Sequence, residues 1–141
     1  MIIKQLSVFL ENKSGRLTEL TEILGQADIN MSALCIADTS EFGIIRIMVS
    51  DPERALKVLR EKEFTVKLTD VICLVMANEP GALARGLKVL SREGISVEYM
   101  YAFSMEKSSL IVIRTENIEK TIKLLKKNNI ELLEAGELYN T

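Results

Sequence analysis

The chain has 141 residues, of which 48% are hydrophobic and 27% charged, and its formal net charge is -2. A chain of this size can bury one good core or two small ones. The weak negative charge excludes the basic surface that a nucleic-acid backbone requires, and no apolar stretch approaches the ~20 residues of a membrane span. The opening MIIKQL lacks the features of a signal peptide, so we expect a cytoplasmic protein without nucleic-acid or membrane partners.

The sequence contains little that would support catalysis or metal binding. It has no histidine, which removes the commonest general base and the commonest transition-metal ligand. Its two cysteines, Cys35 and Cys73, lie in apolar strand-like runs, which favours two buried reduced thiols over a disulfide or a reactive pair. No nucleophile motif or phosphate-binding loop is present. We therefore predict no catalytic residue, no metal and no cofactor.

The first half of the chain alternates between strand and helix patterns. Its first helix carries apolar residues on one side and polar residues on the other, at the 3.6-residue period. A later helix is marked by Asp51 as the capping residue and Pro52 at the first helical position. The predicted elements are strand 4–10, helix 15–27, strand 30–38, strand 43–50, helix 52–62 and strand 64–69.

The second half repeats this order, and Asn117 is predicted to cap its last helix as Asp51 does in the first half. The predicted elements are strand 71–77, helix 80–93, strand 96–104, strand 107–115, helix 117–128 and strand 130–135. Each half is thus a ferredoxin-like βαββαβ unit, with an antiparallel sheet and two helices on one face. The predicted fold class is α+β.

The two halves are related by a shift of 66 residues without a gap. NKSGRL, at 12–17, matches NEPGAL, at 78–83, and the register holds to the last helices. We predict two domains, residues 1–69 and 70–141. Between Leu68 and Val71 there are only Thr69 and Asp70, with no glycine-, serine- or proline-rich linker, which favours a packed pair over flexibly linked domains.

The repeated phrase has the chemistry of an anion-binding turn. A glycine at a strand-to-helix turn permits a sharp backbone path and leaves the first amides of the helix uncovered. Those amides carry the positive end of the helix dipole and attract a carboxylate or a phosphate. Asn12 and Asn78 add an acceptor and a donor pair, which suits an α-amino acid. The alternative is that these residues only form turns.

The pattern Asn-x-x-Gly-x-Leu between a strand and a helix, followed by GQADIN or REGIS and a second strand, resembles the ACT domain. The resemblance covers the whole chain twice and implies a regulatory module that binds an amino acid between two ACT units. It implies that the ligand is held by the strand-to-helix loop of one unit and the start of the second strand of its neighbour. The implied ligand-binding residues are Asn12, Ser14, Gly15, Arg16, Leu17, Ile29, Asn30, Met31, Asn78, Glu79, Pro80, Gly81, Ala82, Leu83, Ile95, Ser96 and Val97.

The two sets differ in their polar groups. Arg16 would favour a carboxylate at the first loop if its side chain points inward, whereas an outward, solvated arginine is the commoner outcome. The second loop has no positive charge of its own, and Ser96 is a shorter substitute for Asn30. Sequence alone therefore leaves the equivalence of the two sites open.

Three functions are compatible with the sequence. The first is a free-standing amino-acid sensor that acts on a partner enzyme or regulator and forms a homodimer through its exposed edge strands, as the resemblance implies. The second is a protein-interaction module without a small ligand. The third is an acyl-phosphate hydrolase on the same scaffold, for which Arg16 with Asn12 is the only weak candidate site. We expect no enzymatic activity.

Overall fold

The computed structural model describes residues 1–11, 13–38 and 42–139. Asn12 therefore lies outside the described residues. In the described part of the chain, the secondary-structure elements are β1 Ile3–Glu11, α1 Arg16–Gln26, β2 Met31–Asp38, β3 Phe42–Val49, α2 Pro52–Glu61, β4 Thr65–Ala77, α3 Ala82–Arg92, β5 Val97–Met105, β6 Ser108–Thr115, α4 Ile118–Lys127, β7 Glu131–Leu132 and α5 Ala135–Tyr139.

The chain forms two compact units. The N-terminal unit comprises Lys4–Thr69 and the segment that begins at Gly136, and the C-terminal unit comprises Met1–Ile3 and Asp70–Ala135. The predicted domain bounds 1–69 and 70–141 stay a prediction.

Each unit has the strand order of a split βαβ fold. In the N-terminal unit, β3 pairs antiparallel with both β1 and β2, and β1 has β4 as its other neighbour. In the C-terminal unit, β6 pairs antiparallel with both β4 and β5, and β7 pairs antiparallel with β4. The fold class predicted from the sequence, two βαββαβ units with antiparallel sheets, is confirmed.

Two boundaries differ from the sequence predictions. The predicted strands 64–69 and 71–77 form one strand, β4, because TVKLTDVICLVMA contains no glycine or proline and is rich in β-branched residues. The predicted strand 130–135 is only two residues long and is followed by the short helix α5, which was not predicted. Five residues are too few for a helical period to be recognised.

The helices cover one face of the sheet in each unit. In the N-terminal unit, Leu20 and Leu24 of α1 and Leu59 of α2 are fully buried against Val8 and Ile47 of the sheet. In the C-terminal unit, Leu90 of α3 and Leu125 of α4 are buried in a cluster with sheet residues Ile72, Leu74, Ile111 and Ile113. Burial of these apolar side chains is the main favourable contribution to folding in each unit.

The predicted capping residues are confirmed. The Arg54 amide donates to Asp51 Oδ1 at 3.2 Å, and the Lys120 amide donates to Asn117 Oδ1 at 3.1 Å. Each bond satisfies an amide that has no partner inside its helix.

Loss of the Asp51 cap is expected to cost about 1 kcal/mol of unfolding free energy, because the Arg54 amide loses its acceptor. Urea unfolding of Asp51→Ala measures this loss. Asp51→Ser is the matched control, since serine is also a good cap and should retain most of the stability. Equal stability of the two variants would contradict this role of the side chain.

The repeat extends to the backbone conformation. Positive φ angles occur at Asp28 (57°) and Gly94 (68°), and again at Glu63 (66°) and Asn129 (58°), each pair being 66 residues apart. The register shifts in β2 and β5 also correspond, between Met31 and Ala33 and between Val97 and Tyr99. The two units therefore share turns and bulges as well as element order.

The aromatic residues of β5 lie on the sheet face opposite the helices. Tyr101 pairs with Val112, whereas Met100 and its partner Ile113 belong to the cluster beneath the helices. Tyr99 and Phe103 share the face of Tyr101 because side chains alternate along a strand. These aromatic side chains therefore do not belong to the core under the helices.

Candidate functional site

Both repeated phrases form a strand-to-helix turn on a left-handed glycine. Gly15 has φ 89° and precedes α1, and Gly81 has φ 84° and precedes α3. L-residues rarely adopt this conformation, so glycine is the residue that the turn requires. Ser14, Asn78, Glu79 and Pro80 lie exposed in these loops.

Within the described residues, neither helix start has a side-chain cap, in contrast to α2 and α4. The amide of the first helical residue is already bonded within the turn. The Arg16 amide donates to the Lys13 carbonyl and the Ala82 amide donates to the Glu79 carbonyl, both at 3.3 Å. The neighbouring amides have no partner in the described part of the chain; they are those of Gly15 and Leu17 in the first loop and of Gly81 and Leu83 in the second. Among the described residues, these amides at each loop therefore have no hydrogen-bond partner.

Arg16 lies along the surface of its own unit. Its Nη1 atom is 2.8 Å from Glu19 Oε2, and its guanidinium carbon lies 4.5 Å from the centre of the Phe64 ring. An ion pair and a cation–π contact therefore occupy this side chain. It is neither freely solvated nor turned toward a ligand.

The second loop has a cation that was missed from the sequence. Arg85 Nη2 lies 2.8 Å from Glu79 Oε1, and a side chain at Gly81 would meet Arg85 Nη1 at 3.5 Å. The absence of positive charge at this loop, expected from 78–83 alone, is therefore wrong. The available signal was the helical spacing, because Arg85 is four residues after Gly81 and lies on the same side of the helix.

The other candidate residues of the second loop belong to the core of the C-terminal unit. Ala82 is buried, and Leu83 packs against the cluster of Leu90. A Cβ at Gly86 would lie 2.9 Å from Met76 Cε, so this glycine permits close approach of the helix to the sheet. The small residues at the start of α3 therefore serve the contact between helix and sheet.

The second-strand residues lie at the opposite end of the sheet from the loop of their own unit. In the N-terminal unit, Glu11 is opposite Phe42 and Met31 is opposite Val49. Phe42 and Val49 are seven residues apart in β3, which corresponds to roughly 24 Å. The C-terminal unit has the same order, with Ala77 opposite Ser108 and Val97 opposite Thr115. Neither unit can therefore bring its own loop residues together with the residues at the start of its own second strand.

The candidate residues at the starts of the second strands also differ in exposure. Ile29 is buried in the core of the N-terminal unit, whereas Asn30 is exposed and its backbone bonds to Ser50 through both the amide and the carbonyl. Met31 and Val97 are half-buried against the cores of their units. Ile95 and Ser96 line a polar cavity of about 700 Å³ in the C-terminal unit.

A smaller and more apolar cavity adjoins the first loop. We call it the apolar slot; its volume is about 130 Å³. It is lined by Leu10, Glu11, Lys13, Leu17, Ile36, Phe42, Gly43 and Ile45. At its rim, Lys13 Nζ lies 2.8 Å from Glu11 Oε2, and the hydrogen bond from Lys13 lowers the pKa of the Glu11 carboxyl. The two charges at the rim therefore compensate each other.

The slot residues on β2 and β3 were missed in the sequence analysis. They belong to regular strands, and nothing in an apolar strand pattern distinguishes a residue that lines a cavity from one that fills a core. A comparison of the halves contains a usable signal, because Ile36 and Phe42 correspond to Ala102 and Ser108.

The two cysteines are not joined by a disulfide. Both are free thiols, and burial raises the pKa of Cys73 to about 12, so that thiol stays protonated at neutral pH. Cys35 is half-buried, and the prediction of a buried thiol is wrong for it.

Among the described residues, no group of histidine, cysteine, aspartate and glutamate side chains is arranged to hold a metal ion. No helix in that part of the chain is long and apolar enough to cross a membrane.

The chain is similar to proteins of known family and structure. A family model described as an ACT domain pair matches residues 1–141. Protein BT0572 from Bacteroides thetaiotaomicron is 51% identical, with a TM-score of 0.96, over 100% of this chain and 98% of that chain. No curated protein matches.

Two further solved structures share the fold. The ligand-free regulatory subunit of aspartate kinase from Thermus thermophilus has a TM-score of 0.64 at 12% identity, over 89% of this chain and 93% of that chain. The corresponding subunit from Thermus flavus has a TM-score of 0.56 at 12% identity, over 89% and 92%. Together with the match of the family model over the whole chain, the duplicated βαββαβ units show that this protein belongs to the ACT domain pair family.

Proposed function

We propose that the protein is a regulatory sensor that binds a free α-amino acid at the loop between β1 and α1. ACT domain pairs are typical of amino-acid-binding regulatory modules, and the chain matches that family over its full length. The observation that carries the proposal is the left-handed glycine at the start of α1, whose neighbouring amides have no partner among the described residues. Such amides suit the carboxylate of an amino acid.

The position of the second-strand residues supports a site that needs another ACT unit. Loop and second-strand start lie at opposite ends of one unit, so the loop of one unit must meet the strand start of a different one. A second copy of the chain would supply it. Antiparallel pairing of two copies through β2 brings the Asp38 end of one strand beside the Met31 end of the other.

The β2 strand has the properties of an interface between two copies. It pairs with β3 and lies at the edge of its sheet. Its sequence, MSALCIAD, has no proline, lysine or arginine, which are the residues that commonly protect an edge strand against pairing. We therefore propose a homodimer, and an equilibrium ultracentrifugation measurement that finds only monomers would contradict it.

A signalling role without catalysis follows from the same site. Glu19 and Phe64 already occupy Arg16, so the positioned arginine of an acyl-phosphate hydrolase is lacking at this loop. We propose that the bound amino acid acts by changing the association of the protein with a partner enzyme or regulator, in the cytoplasm, where free thiols such as Cys35 and Cys73 persist.

Thermal unfolding with each of the twenty amino acids tests the proposed function. A ligand at ~100 times its dissociation constant contributes about 2.7 kcal/mol to the folded state, because it binds only that state. For a chain of this size we expect Tm to rise by roughly 5–10 °C. If no amino acid raises Tm at millimolar concentration, the interaction module without a small ligand becomes the better interpretation.

A further inference from the structure

The apolar slot beside the first loop has the lining of a pocket for an uncharged side chain. Leu17, Ile36 and Phe42 line it while remaining 39%, 49% and 39% exposed. A ligand group that enters the slot removes this apolar surface from water, which is favourable. A charged group would lose its hydration there, because the two charges at the rim already pair with each other.

The volume of the slot limits the size of that side chain. An apolar cavity of about 150 Å³ holds a benzene molecule, so one of about 130 Å³ suits a group smaller than a six-membered ring. A branched side chain of three or four carbons matches this volume. The indole of tryptophan exceeds it.

The equivalent positions of the C-terminal unit lack this lining. Ile36, Phe42 and Gly43 correspond to Ala102, Ser108 and Ser109. A cavity that adjoins Ala82 in that unit, of about 410 Å³, is lined by Arg85, Gly86 and the segment 128–131. The two units therefore offer different surroundings to a ligand at their loops.

The larger cavity of about 700 Å³ is a poorer candidate for the same ligand. Four carboxylates line it, those of Asp70, Glu98, Glu116 and Glu119, with Lys120 as the only cation among the described lining residues, and Asn117, which also lines it, already caps α4. The excess of carboxylates repels the carboxylate of an amino acid, and the capped helix start has one amide fewer to offer.

The geometry points to a specificity pocket: the apolar slot receives the side chain of an aliphatic amino acid, of the size of valine, leucine or isoleucine. This inference rests on the proposed function, which places the carboxylate of the ligand at the start of α1. The amides then bind the part that all amino acids share, and Leu17, Ile36 and Phe42 select the side chain.

A series of amino acids that differ by one methylene tests the slot. Each methylene that enters an apolar site tightens binding about fourfold. In isothermal titration calorimetry with alanine, 2-aminobutyrate, norvaline and leucine, we expect affinity to rise at each step, by roughly 50-fold over the series. Aspartate and lysine should bind more weakly than alanine.

Two variants assign that selectivity to the slot. In Ile36→Ser and in Phe42→Ser, the ratio of leucine to alanine affinity should fall about tenfold, because apolar lining is removed while the loop stays intact. Ile44→Ser is the matched control: Ile44 lies in β3, outside the proposed dimer strand, is 38% exposed, and does not line the slot. It should keep the ratio of the original protein.

The outcomes separate the slot from the proposed function. Equal affinity for alanine and leucine, or a preference for a charged amino acid, would contradict the slot as a specificity pocket but leave amino-acid binding in place. An unchanged ratio in both slot variants would also overturn it. Binding of no amino acid would overturn the proposed function and the slot together.

Discussion

Truncation of Leu24 to alanine should lower the free energy of unfolding by about 2–5 kcal/mol. The side chain is fully buried between α1 and the sheet of the N-terminal unit, and its removal leaves a cavity that the surrounding residues fill only in part. A domain is typically stable by only ~5–15 kcal/mol. Guanidinium unfolding followed by circular dichroism measures the loss.

The same helix supplies the control for this prediction. Leu17 is 39% exposed, so Leu17→Ala removes less buried surface and leaves no enclosed cavity, and it should cost only about 1 kcal/mol. Leu90 is the equivalent of Leu24 in the C-terminal unit and is 1% exposed, so Leu90→Ala should be as damaging as Leu24→Ala. A loss in Leu24→Ala no larger than that in Leu17→Ala would contradict the assignment of Leu24 to the core.

Replacement of Gly15 by valine should abolish amino-acid binding at the first loop. Gly15 has φ 89°, a conformation that costs an ordinary residue about 1–3 kcal/mol and a β-branched one more. A Cβ there meets no atom within 4 Å, so the damage comes from the backbone and from the branched side chain at the point where a carboxylate would approach. Calorimetric titration of the folded variant measures the loss of affinity.

Gly81→Val carries nearly the same strain at φ 84° but should cost less affinity, because the apolar slot adjoins the first loop and not the second. Gly25→Val is the control for the substitution itself: Gly25 lies within α1, and a Cβ there meets no atom within 4 Å. It should bind as the original protein does. Undiminished binding in Gly15→Val would mean that the first loop is only a turn.

The sequence contained most of the fold because its signals are local. The apolar period of the helices and the caps at Asp51 and Asn117 each depend on neighbouring residues, and both appear in the structure. Strand β4 was predicted as two strands because an expected boundary between domains was placed at Thr69 and Asp70. No glycine or proline supports that boundary.

The site was harder to predict because it depends on side chains that are distant in sequence. The glycine turns were recognised, since a left-handed turn has a local residue signature. The pairing of Arg16 with Glu19 and Phe64, and the meeting of Leu17 with Ile36 and Phe42, require the helix to lie across particular strands. A pattern in one segment contains no information about which side chain of another segment it will contact.

The positive φ angles that recur at a shift of 66 residues have a consequence for how the two halves are compared. At two pairs of equivalent positions the residues differ, Asp28 against Gly94 and Glu63 against Asn129, while the backbone conformation is the same. Such a turn is defined by a dihedral angle that more than one residue type can adopt. Sequence identity between the halves therefore understates their structural similarity, and the turns reveal the repeat where the residue types do not.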